Sequence, residues 1–476
     1  MIDGSHPFQA IGFLVVLALI ALLGNATAKR GKEKNAKEYF LGGRGTGVST
    51  LAASLFITAI AGMWLTEAYA GSAAGLWNGI GALVCLLVLG LVLAPFYFTA
   101  AFFTLPQVIA RRFDTRTSLL WAGVTILFYV GVKIPLVLTL ATWTIEQVLG
   151  WDAMPSITLM VVVVLTGLYT VAGGFTSVIH MQVIQAGLVL AGSFVALLLV
   201  VLSPAHASVF PATMQVGGFP SGIFLPALVL VLAWHWFADQ YTLQRVFSAP
   251  DQRVVRKSSL WGAALLLVEI AILYAIRTLT AVPGAVEGTA PVVPMILRGI
   301  AGISFLALLM ATLSSDVHST ASLFTLDYYR AVYPGARDES LVLIGRLSTT
   351  MIVVLAILAV STVAIVDRGL IALLGHFDAH VAPPLVAVFV AGLVWRRLNA
   401  KGAFWAIVAG EIAGGTDLAF MFTGAGSPVG APAIVVLSFS LSVVVLVTVS
   451  LLTETTPKQV SVVAVSEGLE EAEPKI

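Results

Sequence analysis

Ionisable side chains stand in the middle of long apolar runs in this chain: Glu67, Lys133, His235, Asp239, Glu269, Asp316, His318, His376, Asp378 and His380. Two pairs, His235 with Asp239 and His376 with His380, have the i, i+4 spacing that puts both side chains on one helix face. Such pairs can hold a transition metal or relay a proton, because imidazole titrates near neutral pH. They can also be buried histidines that hydrogen-bond to backbone and acids, and the sequence leaves these open. An ammonium at Lys133 could meet a solute carboxylate, or it could neutralise Glu67, Asp239 or Asp378. Asp316 lies one turn after Thr312, on the same face of its helix.

These groups constrain one another through their cost. A charged side chain at membrane depth costs roughly 2.5–3.5 kcal/mol unless paired or wetted. The six of permanent charge type, Glu67, Lys133, Asp239, Glu269, Asp316 and Asp378, would together cost on the order of 15–20 kcal/mol against lipid. They must face a cavity or each other.

Composition requires a membrane. Of the 476 residues, 59% are hydrophobic and 10% charged, and mean hydropathy is +1.00; a soluble domain carries about a quarter charged residues. Runs of about 20 apolar residues span a bilayer. The pattern predicts thirteen helical spans: a leading one at 8–28, ten core segments at 48–76, 79–105, 117–149, 155–173, 177–202, 221–246, 256–280, 295–329, 341–366 and 369–395, and trailing ones at 400–423 and 430–453. All belong to one transmembrane domain, 1–454, followed by a short acidic tail, 455–476, expected to be disordered and cytoplasmic. With the N-terminus outside, every Lys and Arg but Lys133, Arg277, Arg298 and Arg368 falls on the inner side of the membrane, as the positive-inside rule requires. The chain is therefore expected to be a multi-pass protein of the cell membrane with its C-terminus inside.

Several functions are excluded. A net charge of +1 leaves no basic field for nucleic acid. The single cysteine, Cys85, makes no disulfide framework. The N-terminus lacks the positive region of a cleaved signal peptide. Gly43-Arg-Gly45 is no phosphate cradle, since no strand precedes it. There is no nucleophile elbow and no zinc-protease motif, so the chain is not expected to be an enzyme. The expected partners are the lipid bilayer and a small-molecule substrate.

Five stretches carry a resemblance: Tyr39-Phe-Leu-Gly-Gly-Arg44; Leu168-Tyr-Thr-Val-Ala-Gly-Gly174; Asp239-Gln-Tyr-Thr-Leu-Gln-Arg-Val-Phe-Ser-Ala249; Ser319-Thr-Ala-Ser-Leu-Phe-Thr-Leu-Asp327; and Ala382-Pro-Pro-Leu-Val-Ala-Val-Phe389 with Trp395-Arg-Arg397 and Gly402-Ala-Phe-Trp405. In this order and spacing, over about residues 39–410, they resemble the sodium:solute symporter family. The resemblance implies a LeuT-like fold over 48–395, with core segments 1–5 and 6–10 as inverted repeats and segments 1 and 6 broken at the midplane. Broken helices expose carbonyls and amide ends that bind ions and solutes. Gly62 and its small neighbours would tolerate a break in segment 1.

The resemblance also implies an ion site. Sodium would be held by carbonyls of Ile57 and Ile60 in segment 1 and by Leu308, Ala311 and Thr312 in segment 8. Two departures stand out: Ala311 replaces a family serine, and Gln182 stands where relatives have an aspartate. Asp316, where relatives tend to be apolar, is expected either to replace the missing oxygen at the cation site or to carry a proton. Gln240 and Tyr241, beside Asp239, join Glu67, Lys133, His235, His376, Asp378 and His380 as candidates for the substrate path, Tyr241 either as an inner gate or as an interfacial aromatic. The lysine and glutamine that contact sugars in the sugar-transporting relatives correspond to Leu266 and Gly375, so a neutral sugar is not expected. The expected function is symport of a small charged organic solute with Na+, by alternating access. The alternatives are a proton-coupled or transition-metal carrier on the same fold, and a transporter-like membrane sensor.

Overall fold

Every regular element among the described residues is a helix, because backbone in lipid must satisfy its hydrogen bonds within its own segment. The computed structural model describes residues 35–70, 72–98, 101–145, 155–202, 222–280, 292–363, 368–423 and 428–453. The leading segment 8–28 and the tail 455–476 lie outside them. Ten described helices are long and apolar enough to cross a membrane. Nine are single spans: α1 Val48–Glu67, α2 Ala74–Tyr97, α3 Thr115–Thr142, α7 Gln252–Ile276, α8 Gly299–Val332, α9 Asp338–Val360, α10 Phe377–Val394, α11 Ala400–Met421 and α12 Ala431–Leu452.

The tenth, Leu159–Leu202, holds the two expected spans α4 and α5. As one straight rod it would reach roughly 66 Å, about twice the hydrocarbon thickness. It turns instead at Gly174, whose φ of 50° and ψ of −147° no side-chain-bearing residue adopts readily. A Cβ at Gly174 would lie 2.6 Å from the carbonyl oxygen of Tyr39. Tyr39, fully buried in the short helix Ala36–Leu41, sits under this turn with its hydroxyl 3.3 Å from Thr349 Oγ1. Two of the stretches that carry the resemblance thus meet in space.

The expected helix 6 is absent from the ten because it is interrupted. Its first half, α6a (Phe224–Ala233), runs into a π-turn over Trp234–Ala238 and stops at Asp239, which is extended (φ −105°, ψ 129°). Its second half, α6b (Gln240–Phe247), restarts with the Asp239 carboxylate accepting from the Tyr241 amide at 3.2 Å, an N-cap that satisfies an orphan donor. The expected break in α1 does not occur: the chain is helical from Val48 to Ala70. Gly62 permits a break without forcing one, and the carbonyls of Ile57 and Ile60 stay in the helical ladder. A second π-turn, Tyr129–Lys133, precedes Pro135 in α3. Proline lacks the N–H that would continue the regular ladder, and the widened turn swings Tyr129 and Lys133 inward.

A buried arginine clamps one end of the bundle. Arg112, at the end of the short helix Leu105–Arg112, donates to Gly392 O at 2.8 Å, Trp395 O at 2.9 Å and Leu398 O at 3.2 Å. Gly392 O belongs to the last turn of α10, whose final carbonyls lack helical partners, and Trp395 and Leu398 lie in the turn that follows it. Arg112→Met should cost about 2–3 kcal/mol, since hydrogen bonds from a charged donor are roughly twice as strong as neutral ones. Arg112→Lys should recover only part, because one ammonium cannot span three carbonyls. Thermal unfolding in detergent checks this, and equal midpoints for Arg112→Met and wild type would refute it.

Candidate ion and solute site

α1, α3, helix 6, α8 and α10 surround a cavity of about 80 Å³ beside the break in helix 6. Thr58, Ala61 and Gly62 of α1 give it a smooth wall, and Val132, Trp236 and Leu232 an apolar one. Its polar wall is made of Lys133, His235, Tyr241, Thr312 and Asp378.

A chain of charges runs behind that wall. Lys133 Nζ lies 2.9 Å from Asp316 Oδ1 and 3.8 Å from Asp239 Oδ2. The same ammonium sits over two aromatic faces, 4.0 Å from the ring centre of Tyr241 and 4.7 Å from that of Tyr129, which adds cation–π attraction. Asp239 accepts a hydrogen bond from the Tyr129 hydroxyl and lies 3.7 Å from His235 Nδ1. His235 Nε2 in turn is 3.1 Å from Asp378 Oδ2. The order is Asp316–Lys133–Asp239–His235–Asp378, across α8, α3, helix 6 and α10. Asp316 and Asp239 are fully buried, whereas the side chains of His235 and Asp378 keep 27% and 23% of their surface accessible. The outer end of the chain therefore meets the cavity and the inner end is sealed.

This geometry sorts the residues singled out in the sequence. Lys133, His235, Asp239, Asp316 and Asp378 come together in one network, with Tyr241 against it. Asp316 faces Lys133 rather than standing as a free anion. Gln240 does not line the cavity: its Oε1 accepts from the Leu105 amide at 2.9 Å, because it faces the start of the short helix. Glu67 is half-buried and does not line the cavity. His380 pairs with Asp417 of α11 at 2.8 Å and does not line the cavity; the His376 side chain lies outside the described residues. His318 is enclosed by the rings of Tyr39, Phe40 and Phe175. Among the described residues no cluster of His, Cys, Asp and Glu could hold a transition metal.

The positions implied as sodium ligands, Ile57, Ile60, Leu308, Ala311 and Thr312, all lie buried on α1 and α8. Thr312 lines the cavity, and its hydroxyl donates to Leu308 O at 2.9 Å. Ala311 O accepts from Ser314 Oγ at 3.1 Å, Ser315 Oγ at 2.8 Å and Gln182 Nε2 at 3.3 Å. Sequence reasoning missed Tyr129, Asp417, Ser54, Ser315 and Arg245. The last of these had a signal: it lies within the Asp239–Ala249 stretch, although along the chain it reads as one more cation on the inner side.

Comparison with known proteins agrees with this architecture. The family model of the sodium:solute symporter family matches residues 39–410. Rat sodium/glucose cotransporter 2 is 30% identical over 83% of this chain and 70% of its own length. Bovine sodium/mannose cotransporter SLC5A10 is 28% identical over 88% of this chain and 80% of its own. A solved structure of a Na+-coupled sialic acid symporter, in a substrate-bound outward-open state, superposes with a TM-score of 0.73 at 19% identity, covering 94% of this chain and 98% of that one. It shares the LeuT-like fold. With the family model spanning most of the chain and the helices arranged as that fold requires, this protein belongs to the sodium:solute symporter family and is a membrane transporter, not an enzyme.

Proposed function

We propose that this chain is a symporter of the cell membrane that couples entry of a small charged organic solute to a cation gradient by alternating access. The carrying observation is the charged wall of the cavity at the helix 6 break. Lys133, His235 and Asp378 line it, and their present partners are one another and the buried acids behind them. A solute carboxylate or amine can exchange into such pairs, whereas a neutral polyol would leave them desolvated. Leu266, at the position of a sugar-contact lysine in sugar-transporting relatives, is fully buried in the apolar core.

A thermal-shift screen of purified protein against small carboxylates, amino acids, hexoses and divalent metals tests the substrate class. A ligand of the folded state at 100 times its Kd stabilises by about 2.7 kcal/mol. A charged organic solute should raise the unfolding midpoint, and glucose and galactose should leave it unchanged. Saturable stabilisation by a hexose would refute the assignment. The orientation goes with the same reading, with the N-terminus outside and the C-terminus in the cytoplasm. Reporter fusions at both ends test it, and a cytoplasmic N-terminus would overturn it.

Sodium is the coupling ion that the family suggests. A proton is a second reading, supported by the charge balance of the network. Three carboxylates, Asp239, Asp316 and Asp378, share it with Lys133 and with Arg245 of α6b, while His235 can be neutral or charged. One added proton brings the set to neutrality, which buried groups favour, and such a proton belongs to the network rather than to one residue. Uptake in sodium-free buffer across a pH series distinguishes the readings: proton coupling requires uptake without sodium that grows as the outside is acidified.

A further inference from the structure

Arg245 is 1% exposed, yet among the described residues no carboxylate forms an ion pair with it. Its guanidinium is spent on neutral oxygens from three helices. Nε donates to Ser54 Oγ of α1 at 2.9 Å, Nη2 to Ser315 Oγ of α8 at 2.7 Å, and Nη1 to the carbonyl of Tyr241 in α6b. Gln182 of α5, also 1% exposed, closes the ring from the other side. Its Oε1 accepts from Ser54 Oγ, and its Nε2 donates to Ser315 Oγ at 2.6 Å and to Ala311 O at 3.3 Å. The Ser315 hydroxyl passes its own proton on to Ala311 O at 2.8 Å.

Each hydroxyl in this ring both donates and accepts, and every polar atom of Gln182 is used. A hard metal cation binds through free oxygen lone pairs, usually with carboxylates among the ligands. Here the Leu308 and Ala311 carbonyls of α8 and the Ser54 and Ser315 hydroxyls already accept from N–H and O–H donors. The nearest formal charge is positive: Asp239 and Asp316 act on Arg245 electrostatically, but neither forms an ion pair with it. In a low-dielectric interior, like charges at such range repel strongly.

We infer that this chain carries its own cation between α1 and α8: the Arg245 guanidinium, held by Ser54, Ser315 and the Tyr241 carbonyl and fenced by Gln182, occupies the seam, and sodium has no site there. Gln182 and Arg245 are thus the residues that set ion specificity. The inference rests on the transport reading for its meaning, and it goes with proton coupling. Sodium binding itself can be measured without knowing the solute.

The experiment uses the purified full chain in detergent. Its unfolding midpoint is compared in sodium chloride and in choline chloride at equal ionic strength, and equilibrium binding of radioactive sodium is measured alongside. Wild type should show the same midpoint in both salts and no saturable sodium binding. Gln182→Asp, one methylene shorter, puts a carboxylate on the Arg245 side of the seam; combined with Ala311→Ser, it supplies an anion and a hydroxyl. This double variant should bind sodium saturably and gain a sodium-specific rise in midpoint of a few degrees. If it fails to fold, Arg245→Gln, which removes the resident charge, carries the same expectation. A sodium-specific rise or saturable binding in wild type overturns the inference, and so does the absence of any sodium response in every folded variant. A solute screen that finds no charged ligand would count against the transport reading and leave the sodium result standing.

Discussion

Lys133→Met should be among the most damaging single changes in the membrane core, costing about 3–5 kcal/mol of stability, the range for breaking a buried ion pair from one side. The lysine is the one cation within 4.0 Å of both Asp239 and Asp316 among the described residues, apart from the titratable His235 at Asp239. Methionine keeps the apolar stem and its contacts with Tyr129 and Tyr241, so the loss isolates the charge. Asp316 would then remain a buried carboxylate with no cation beside it. Adding Asp316→Asn to Lys133→Met should recover at least half of the loss, because the stranded charge goes with the lysine, and only such a cycle apportions the pair. Transport should be lost in the single variant whatever its stability at the assay temperature, since Lys133 lines the cavity. Unfolding midpoints in detergent for wild type, both single variants and the double variant decide the matter. Strictly additive losses would mean that the two residues do not depend on each other.

Gly174→Ala should cost more than about 3 kcal/mol, from a backbone region that is essentially closed to other residues and from overpacking. Two effects add. At φ 50° and ψ −147° an alanine is strained wherever it sits. Its Cβ would also press on Tyr39, 2.6 Å from the carbonyl oxygen and 2.8 Å from the ring. Tyr39 cannot retreat, being fully buried against Phe40 and His318. Gly187→Ala is the control. It is an exposed helical position with nothing within 4 Å of the added Cβ, so it should be neutral or stabilising by up to about 1 kcal/mol, the helix preference of alanine over glycine. Expression yield and unfolding midpoint report both, and a Gly174→Ala protein as stable as the control would mean that the α4–α5 turn can relax.

Helix class, the positions of the described spans and the family were legible from composition, run length and five ordered stretches. Each is a local property: an apolar run of about 20 residues crosses a bilayer wherever it is placed. The cost of buried charge was legible too, because it follows from residue type and depth alone, and it announced that the scattered ionisable residues must face a cavity or one another.

Which partner each charge takes was not legible. Lys133 had Glu67, Asp239 and Asp378 as candidates, and it met Asp316 and Asp239. The choice depends on a π-turn before Pro135 that rotates one helix face, and on how closely α3 approaches α8. Small residues allowed a break in α1, yet α1 stays whole while helix 6 opens at Asp239. A helix breaks where side chains satisfy the freed backbone groups, as the Asp239 carboxylate, from within the break, and the Tyr129 hydroxyl, from α3, do for the Tyr241 amide. Arg245 makes the same point. Along the chain it is one more cation on a cation-rich inner side; in the fold, Ser54, Ser315 and Tyr241 converge on it from three helices. Periodicity and length are fixed by neighbours in sequence, whereas ion pairs and ligand sets are fixed by distances between helices, and those exist only once the bundle has packed.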